Sequence, residues 1–309
     1  MKIAIIGLGG VGGYFGFKLA HTFSKGNEAS VTFVARKATY EAVKERGLVL
    51  LSPEHEDQVI TPHFLVSSVE ALAKPDLVLI CVKEYDLEQV CQQLRDRVSE
   101  TTILLPLMNG VDIYDRLRKV ISKGIVLPTC VYVASHIKEK GVVEHKGKPG
   151  LVVFGKDPAF PQYTPDEVIG IFRKADIQYQ YQEDSFPEIW AKFVFIASFG
   201  LVTARYNLPI GKVNEEEELK ERAMSIMQEI VTIAGIKGIE LPDDIINRTF
   251  QKASSFPYYT PTSLQLDVHS GKSDNELELF AGAIMRYGEE VRVPTPETRR
   301  IYKEIKNLG

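Results

Sequence analysis

KIAIIGLGGVGGYFG, residues 2–16, decides how the first half of this chain is read. Lys2–Ile6 is a short apolar strand, Gly7, Gly9 and Gly12 are spaced GxGxxG, and residues 11–25 have the pattern of the helix that follows. Each glycine has a physical reason. The first permits a tight turn, the second lets the backbone approach a pyrophosphate, and the third lets helix and strand pack closely, with the helix N-terminus facing the negative charge. A bare GxGxxG is weak evidence. Set between a strand and a helix, it predicts a dinucleotide site formed by Gly7, Leu8, Gly9, Gly10, Val11 and Gly12.

A second strand, residues 30–35 in SVTFVAR, ends at Arg36. An acidic residue there would accept hydrogen bonds from a ribose 2′-OH, whereas an arginine pairs with a 2′-phosphate. Glu28, the nearby carboxylate, precedes the strand and so lies at the wrong end of the sheet. The expected cofactor is therefore NADPH/NADP+; the plainer alternative makes Arg36 an ordinary solvent-facing strand end. Residues 46–66 read as short strands joined by polar turns, an elaboration on the sheet. Residues 76–82, DLVLICV, form a core strand followed by Lys83 and by a helix over 85–98. A further strand, 102–107, leads into Met108-Asn109-Gly110. Side chains at the C-terminal ends of parallel strands face the cofactor crevice, so Lys83 and Asn109 could reach a nicotinamide ribose or a substrate. The alternative is a strand cap for Lys83 and a turn for Asn109. Residues 124–154 read as extended strands with glycine turns, 166–175 as a short helix and 177–181 as an edge strand.

From Pro187 the apolar period changes to 3.6. Helices are predicted over 187–204, 215–235, 242–252, 275–290 and Pro296–Lys306, with Pro- and Gly-bearing loops such as YNLPIGK between them. The expected architecture is an α/β Rossmann-type N-terminal domain, residues 1–184, followed by an all-α C-terminal domain, residues 185–309. Two residues of the helical half stand out. Lys192 interrupts the otherwise apolar PEIWAKFVFIA, where a lysine either snorkels to the surface or is placed for chemistry. Glu276 opens NELELFAG, where it either stabilises the helix dipole or serves a site.

Bulk properties narrow the function classes. The chain has 309 residues, is 44% hydrophobic and carries a net charge of −4, enough for two domains and without the basic excess of a nucleic-acid or anionic-membrane binder. No apolar run approaches the about 20 residues that span a bilayer, and no signal-type segment is read, so a cytoplasmic location is expected. Cys81, Cys91 and Cys130 form no CxxC pair and suit a reducing compartment, with Cys81 read as a core residue. His21, His55, His63, His136, His145 and His269 share no liganding spacing, and no metal is expected. The helical half could offer a face for a homodimer.

A nicotinamide delivers hydride to an electrophilic carbon, and the developing alkoxide needs a proton and a nearby positive charge. A lysine supplies both, while a carboxylate can orient a substrate hydroxyl. GLGGVGGYFG, Arg36, CVKEYD around Lys83, PLMNGVD around Asn109, EIWAKFVFIA around Lys192, PTSLQLDVHSGKSDNELE and GEEVRVPTPETRRIY occur in this order over essentially the whole chain. Together they resemble the ketopantoate reductase family, the 2-dehydropantoate 2-reductases. The resemblance implies NADPH-dependent reduction of ketopantoate to pantoate on the route to pantothenate and coenzyme A, in an active site between a Rossmann domain and a helical domain. It further implies that Lys192 protonates the carbonyl oxygen, Glu276 orients the substrate hydroxyl, and Ser263 contacts the substrate carboxylate. By the same carry-over Asn109 and Lys83 line the cofactor and substrate site.

The chain departs from that family's pattern in two places. GKSDNE carries one residue more than the usual spacing before the glutamate. The asparagines that usually lie four and eight residues after the lysine are Ile196 and Gly200 here, on the lysine's own helix face. Each lost amide could remove roughly 1–3 kcal/mol from substrate binding in a closed site. Either Tyr258, Tyr259 or Ser198 compensates, or the substrate is another branched 2-oxo acid.

Overall fold

Lys2–Ile6 forms strand β1, with its four apolar residues buried and only Lys2 exposed. A computed structural model describes residues 1–54, 58–271 and 274–308. It divides into two units, residues 1–108 with 113–185 and residues 109–112 with 186–309.

In the first unit β1 is followed by α1 (Gly10–Phe23), β2 (Ser30–Val34), α2 (Lys37–Arg46), β3 (Leu48–Leu51), β4 (Gln58–Ile60), β5 (Phe64–Val66) and β6 (Leu77–Ile80). Next come α3 (Glu84–Arg95), β7 (Ile103–Pro106), α4 (Ile113–Val120), β8 (Ile125–Val126), β9 (Thr129–Tyr132) and β10 (Ser135–Glu139). β11 (Val142–His145), β12 (Leu151–Gly155), α5 (Asp166–Lys174) and β13 (Gln178–Gln182) complete it. Six strands run parallel in the order β5-β2-β1-β6-β7-β8. Numbered within this sheet the order is 3-2-1-4-5-6, the doubly wound Rossmann arrangement, whose switch point lies beside β1. β6 and β7 are buried along their whole length, as parallel strands covered on both faces must be.

Only β5 of the 46–66 stretch joins this sheet. β3 and β4 belong to a second sheet, β10-β11-β3-β4, and a third sheet pairs β13-β12-β9 with β13 at its edge. The core gathers Phe15, Phe17, Phe33, Phe154 and Phe172. α1 also buries Lys18, which a 2.9 Å ion pair with Glu54 compensates.

The second unit contains α6 (Phe186–Tyr206), α7 (Ile210–Glu215), α8 (Glu217–Ile236), α9 (Ile245–Ser254), α10 (Ser263–Val268), a π-helical turn at Glu278–Gly282, α11 (Ala283–Glu290) and α12 (Pro296–Lys306). α12 has the predicted bounds, with Pro at its first turn. One predicted helix start and one predicted loop need correction. The helix expected over 215–235 is α8 and begins two residues later, at Glu217, because Glu216 takes extended backbone between α7 and α8 (φ −85°, ψ 121°). α7 itself begins inside the stretch read as the YNLPIGK loop.

α6 is apolar on nearly every face, the signature of a helix surrounded by others. It packs on α8, α10 and α12. Phe193 stacks on Phe280 at 6.1 Å, Trp190 on Tyr287 at 5.7 Å and Phe195 on Phe256 at 5.5 Å. Among the described residues α6 alone is long and apolar enough to cross a membrane, contrary to the reading of no long apolar run, yet 67% of that stretch is buried within the protein.

Candidate active site

The glycine loop after β1 has the geometry its spacing predicts. Gly7 sits at φ +91°, and a Cβ there would lie 2.8 Å from the Cys81 carbonyl oxygen. A Cβ on Gly12 would fall 1.9 Å from the Gly7 carbonyl oxygen, so α1 can approach β1 only without one. A Cβ on Gly9 meets nothing within 4 Å, leaving the open approach a pyrophosphate needs. Gly9 caps α1 without a side-chain hydrogen bond, and the first turn has no acidic residue to compete for an anion. These features fit a dinucleotide.

Other residues of the loop act differently from the motif's glycines. Leu8 buries its side chain in the core, so only its backbone is available to a ligand. Val11 is half-buried and packs on the same core. Gly10 has its own packing reason, because a Cβ there would lie 2.4 Å from the Ser135 carbonyl oxygen of β10. Cys81 faces the loop from just beyond β6, where burial pushes its thiol up and keeps it protonated.

Arg36 follows β2 at the C-terminal edge of the sheet, as read from the sequence. Its guanidinium meets a carboxylate that sequence reasoning missed: Arg36 Nη2 lies 2.6 Å from Asp86 Oδ2, in the first turn of α3. Lys83, half-buried, occupies the N-cap position of the same helix.

In the second unit, Lys192 lies in the second turn of α6. Glu188, Lys192 and Ile196, four residues apart, are half-buried on a helix whose other faces are mostly closed. Lys192 Nζ donates to Asn109 Oδ1 at 2.8 Å. The structure thus joins two candidates that are 83 residues apart in sequence. Asp112, three residues beyond Asn109, is 5% exposed and pairs with Arg286 Nη2 of α11 at 2.8 Å. No sequence signal marked Arg286 as the partner of this loop.

Glu276 is 5% exposed and lies just before the π-helical turn, a local widening common at functional sites. Ser263 is exposed in the first turn of α10, next to a capping box made by Thr262 and Gln265. Leu264 of the same helix covers Gly200, its Cβ 3.7 Å from where a Gly200 Cβ would sit. His55 and the Lys272-Ser273 part of GKSDNE lie outside the described residues. Among the described residues, no three His, Cys, Asp or Glu side chains gather as a metal site.

The Asp112–Arg286 pair yields a test of how the Asn109 loop is held. Arg286→Ala leaves a buried carboxylate without its cation. Because Arg286 is itself half exposed, the expected loss is about 1–2 kcal/mol, below the cost of breaking a fully buried pair. Turnover should fall about tenfold as Asn109 loses its fixed position, with partial recovery in Arg286→Lys. A wild-type melting curve and turnover in Arg286→Ala would rule the pair out as a support.

Comparison with known proteins follows the same division. Residues 3–159 match the family described as ketopantoate reductase PanE/ApbA, and residues 184–309 match ketopantoate reductase PanE/ApbA C terminal. An oxidoreductase of uncharacterised specificity from Bacillus subtilis (strain 168) is 26% identical, over 99% of this chain and 98% of its own. The crystal structure of a PanE/ApbA family ketopantoate reductase from Ralstonia eutropha JMP134 is 26% identical, covers 100% of this chain and 98% of its own, and superposes with a TM-score of 0.89. The fold is also that of a D-mandelate dehydrogenase solved with NADH and anilino(oxo)acetate: TM-score 0.85, 18% identity, 99% of this chain and 98% of the other. With the doubly wound sheet, its glycine loop and the helical second unit all matched end to end, this chain is an oxidoreductase of the ketopantoate reductase family.

Proposed function

We propose that the protein is an NADPH-dependent 2-dehydropantoate 2-reductase that reduces ketopantoate to pantoate, on the route to pantothenate and coenzyme A. The observation that carries this reading is the Lys192 ammonium oriented by Asn109 on the accessible stripe of α6. The bound nicotinamide would supply hydride to the substrate's carbonyl carbon. Asn109 accepts one N–H of Lys192 and so fixes the direction of the ammonium. Lys192 then donates a proton to the carbonyl oxygen as negative charge develops there. The buried Glu276 carboxylate accepts a hydrogen bond from the substrate hydroxyl, and Ser263 contacts the substrate carboxylate. Gly7, Gly9 and Gly12 admit the pyrophosphate, Arg36 takes the 2′-phosphate, and Lys83 lines the cofactor and substrate site. Cys81, Cys91 and Cys130, all buried and in no disulfide, suit a reducing cytoplasm.

A second reading, reduction of a different branched 2-oxo acid, is favoured by what surrounds Ile196 and Gly200. None of the three compensating residues is well placed to replace the missing amides. Ser198 is 0% exposed and donates to the Val194 carbonyl of its own helix at 2.6 Å. Tyr258 donates to Glu215 at 2.6 Å, and Tyr259 is 83% exposed.

NADPH oxidation by the purified protein, with ketopantoate compared against 2-oxoisovalerate and longer branched 2-oxo acids, separates the two readings. A clear preference for ketopantoate supports the first, and a preference for an unhydroxylated acid selects the second. In either case Ile196→Asn should shift kcat/KM toward ketopantoate by roughly tenfold, the worth of one hydrogen bond to the substrate hydroxyl. An unchanged ratio would place Ile196 away from the substrate.

A further inference from the structure

The Arg36–Asp86 pair spans the mouth of the glycine loop. β1 lies between β2 and β6 in the sheet; Arg36 follows β2 and Asp86 follows β6, and the two side chains meet at 2.6 Å. Both remain accessible, Arg36 at 51% and Asp86 at 23% of their side-chain surface, so a ligand can reach each of them. The C-terminal edge where adenosine ribose is recognised in this sheet order therefore carries both signs of charge.

We propose that Asp86 sets how strongly this site distinguishes an adenosine ribose bearing a 2′-phosphate from one bearing a 2′-hydroxyl. The inference rests on the glycine loop being a dinucleotide site. Arg36 alone would favour the phosphate through charge-assisted hydrogen bonds. Asp86 opposes it in two ways. The phosphate must take the guanidinium from a partner it already has, and the phosphate oxygens then lie beside a carboxylate of like charge. A 2′-hydroxyl meets neither obstacle, because it can donate to Asp86 and accept from Arg36 while the pair stays closed. The site is thus built to accept both nucleotides, and Asp86 reduces the preference that Arg36 creates.

The test uses the full chain and simple nucleotide probes, independent of any turnover. Binding of 2′,5′-ADP and 5′-AMP is measured by calorimetry for the wild type, Asp86→Asn and Arg36→Ala, with melting curves to confirm folding. In Asp86→Asn the ratio of 2′,5′-ADP to 5′-AMP affinity should rise about tenfold, since like-charge juxtaposition is removed. In Arg36→Ala the ratio should fall to one or below, since Asp86 then faces the phosphate without its cation. If both probes bind but Asp86→Asn leaves the ratio unchanged, or moves both affinities together, Asp86 does not discriminate and the proposal is overturned while the dinucleotide site stands. If neither probe binds the wild type, both fall.

Discussion

Lys192→Ala lowers turnover of the preferred 2-oxo acid at least ~100-fold and leaves nucleotide affinity within about twofold. The size of the effect follows from the two tasks assigned to one ammonium. General acid catalysis by a positioned side chain contributes typically 10²–10⁴-fold, and a cation facing a developing alkoxide adds electrostatic stabilisation. Alanine removes both. It should not unfold the protein, because Lys192 is half-buried on the open stripe of α6, whereas the aromatic contacts that hold that helix run from Trp190, Phe193 and Phe195 on its closed faces to Tyr287, Phe280 and Phe256. Steady-state rates over a range of substrate concentration, with nucleotide binding measured separately, distinguish lost chemistry from lost binding. Turnover that survives the substitution would remove Lys192 from the mechanism. Asn109→Ala should reproduce a smaller part of the same loss, since it leaves the acid present but removes the amide oxygen that helps to direct it.

Gly12→Ala abolishes nucleotide binding and destabilises the first unit by about 1–3 kcal/mol or more, the range for forcing an extra methyl into a closed core. The added Cβ would sit 1.9 Å from the Gly7 carbonyl oxygen and 2.8 Å from Cys81 Cβ. The first of these is backbone, which no rotamer change can move aside. Relief requires α1 to lift from β1, displacing the loop that the pyrophosphate would approach. Gly9→Ala is the matched control: its Cβ meets nothing within 4 Å, so the melting temperature should hold while nucleotide affinity falls. Thermal melts and calorimetry on the two variants separate fold from binding. A Gly12→Ala protein with wild-type stability would mean that helix and strand are not pressed together as described.

The sheet was legible because its signals are local. A strand, three spaced glycines and a helix start lie within fifteen residues, and the apolar runs of β6 and β7 can only be buried strands. Arg36 was legible as the residue that ends β2. Asp86 was not, because its meaning comes from a neighbour 50 residues away that the strand order brings beside it. Arg286 was hidden for the same reason, its partner Asp112 lying 174 residues earlier. In the helical half the long periodic segments were legible, whereas the turn at Glu216 just before α8 was not, because a run of glutamates has good helix propensity throughout and does not mark where the helix starts. α10 was overlooked although Thr262 and Gln265 form a capping box, since six residues show too little periodicity to be seen.

Residues 109–112 belong by their contacts with the helical unit, although the chain on either side of them belongs to the sheet. A chimera that grafts residues 186–309 of one family member onto the nucleotide-binding half of another would therefore pair Lys192 and Arg286 with a foreign Asn109 and Asp112. The transplantable module is discontinuous: a recombination that aims to move substrate preference intact must carry this four-residue segment along with the C-terminal half.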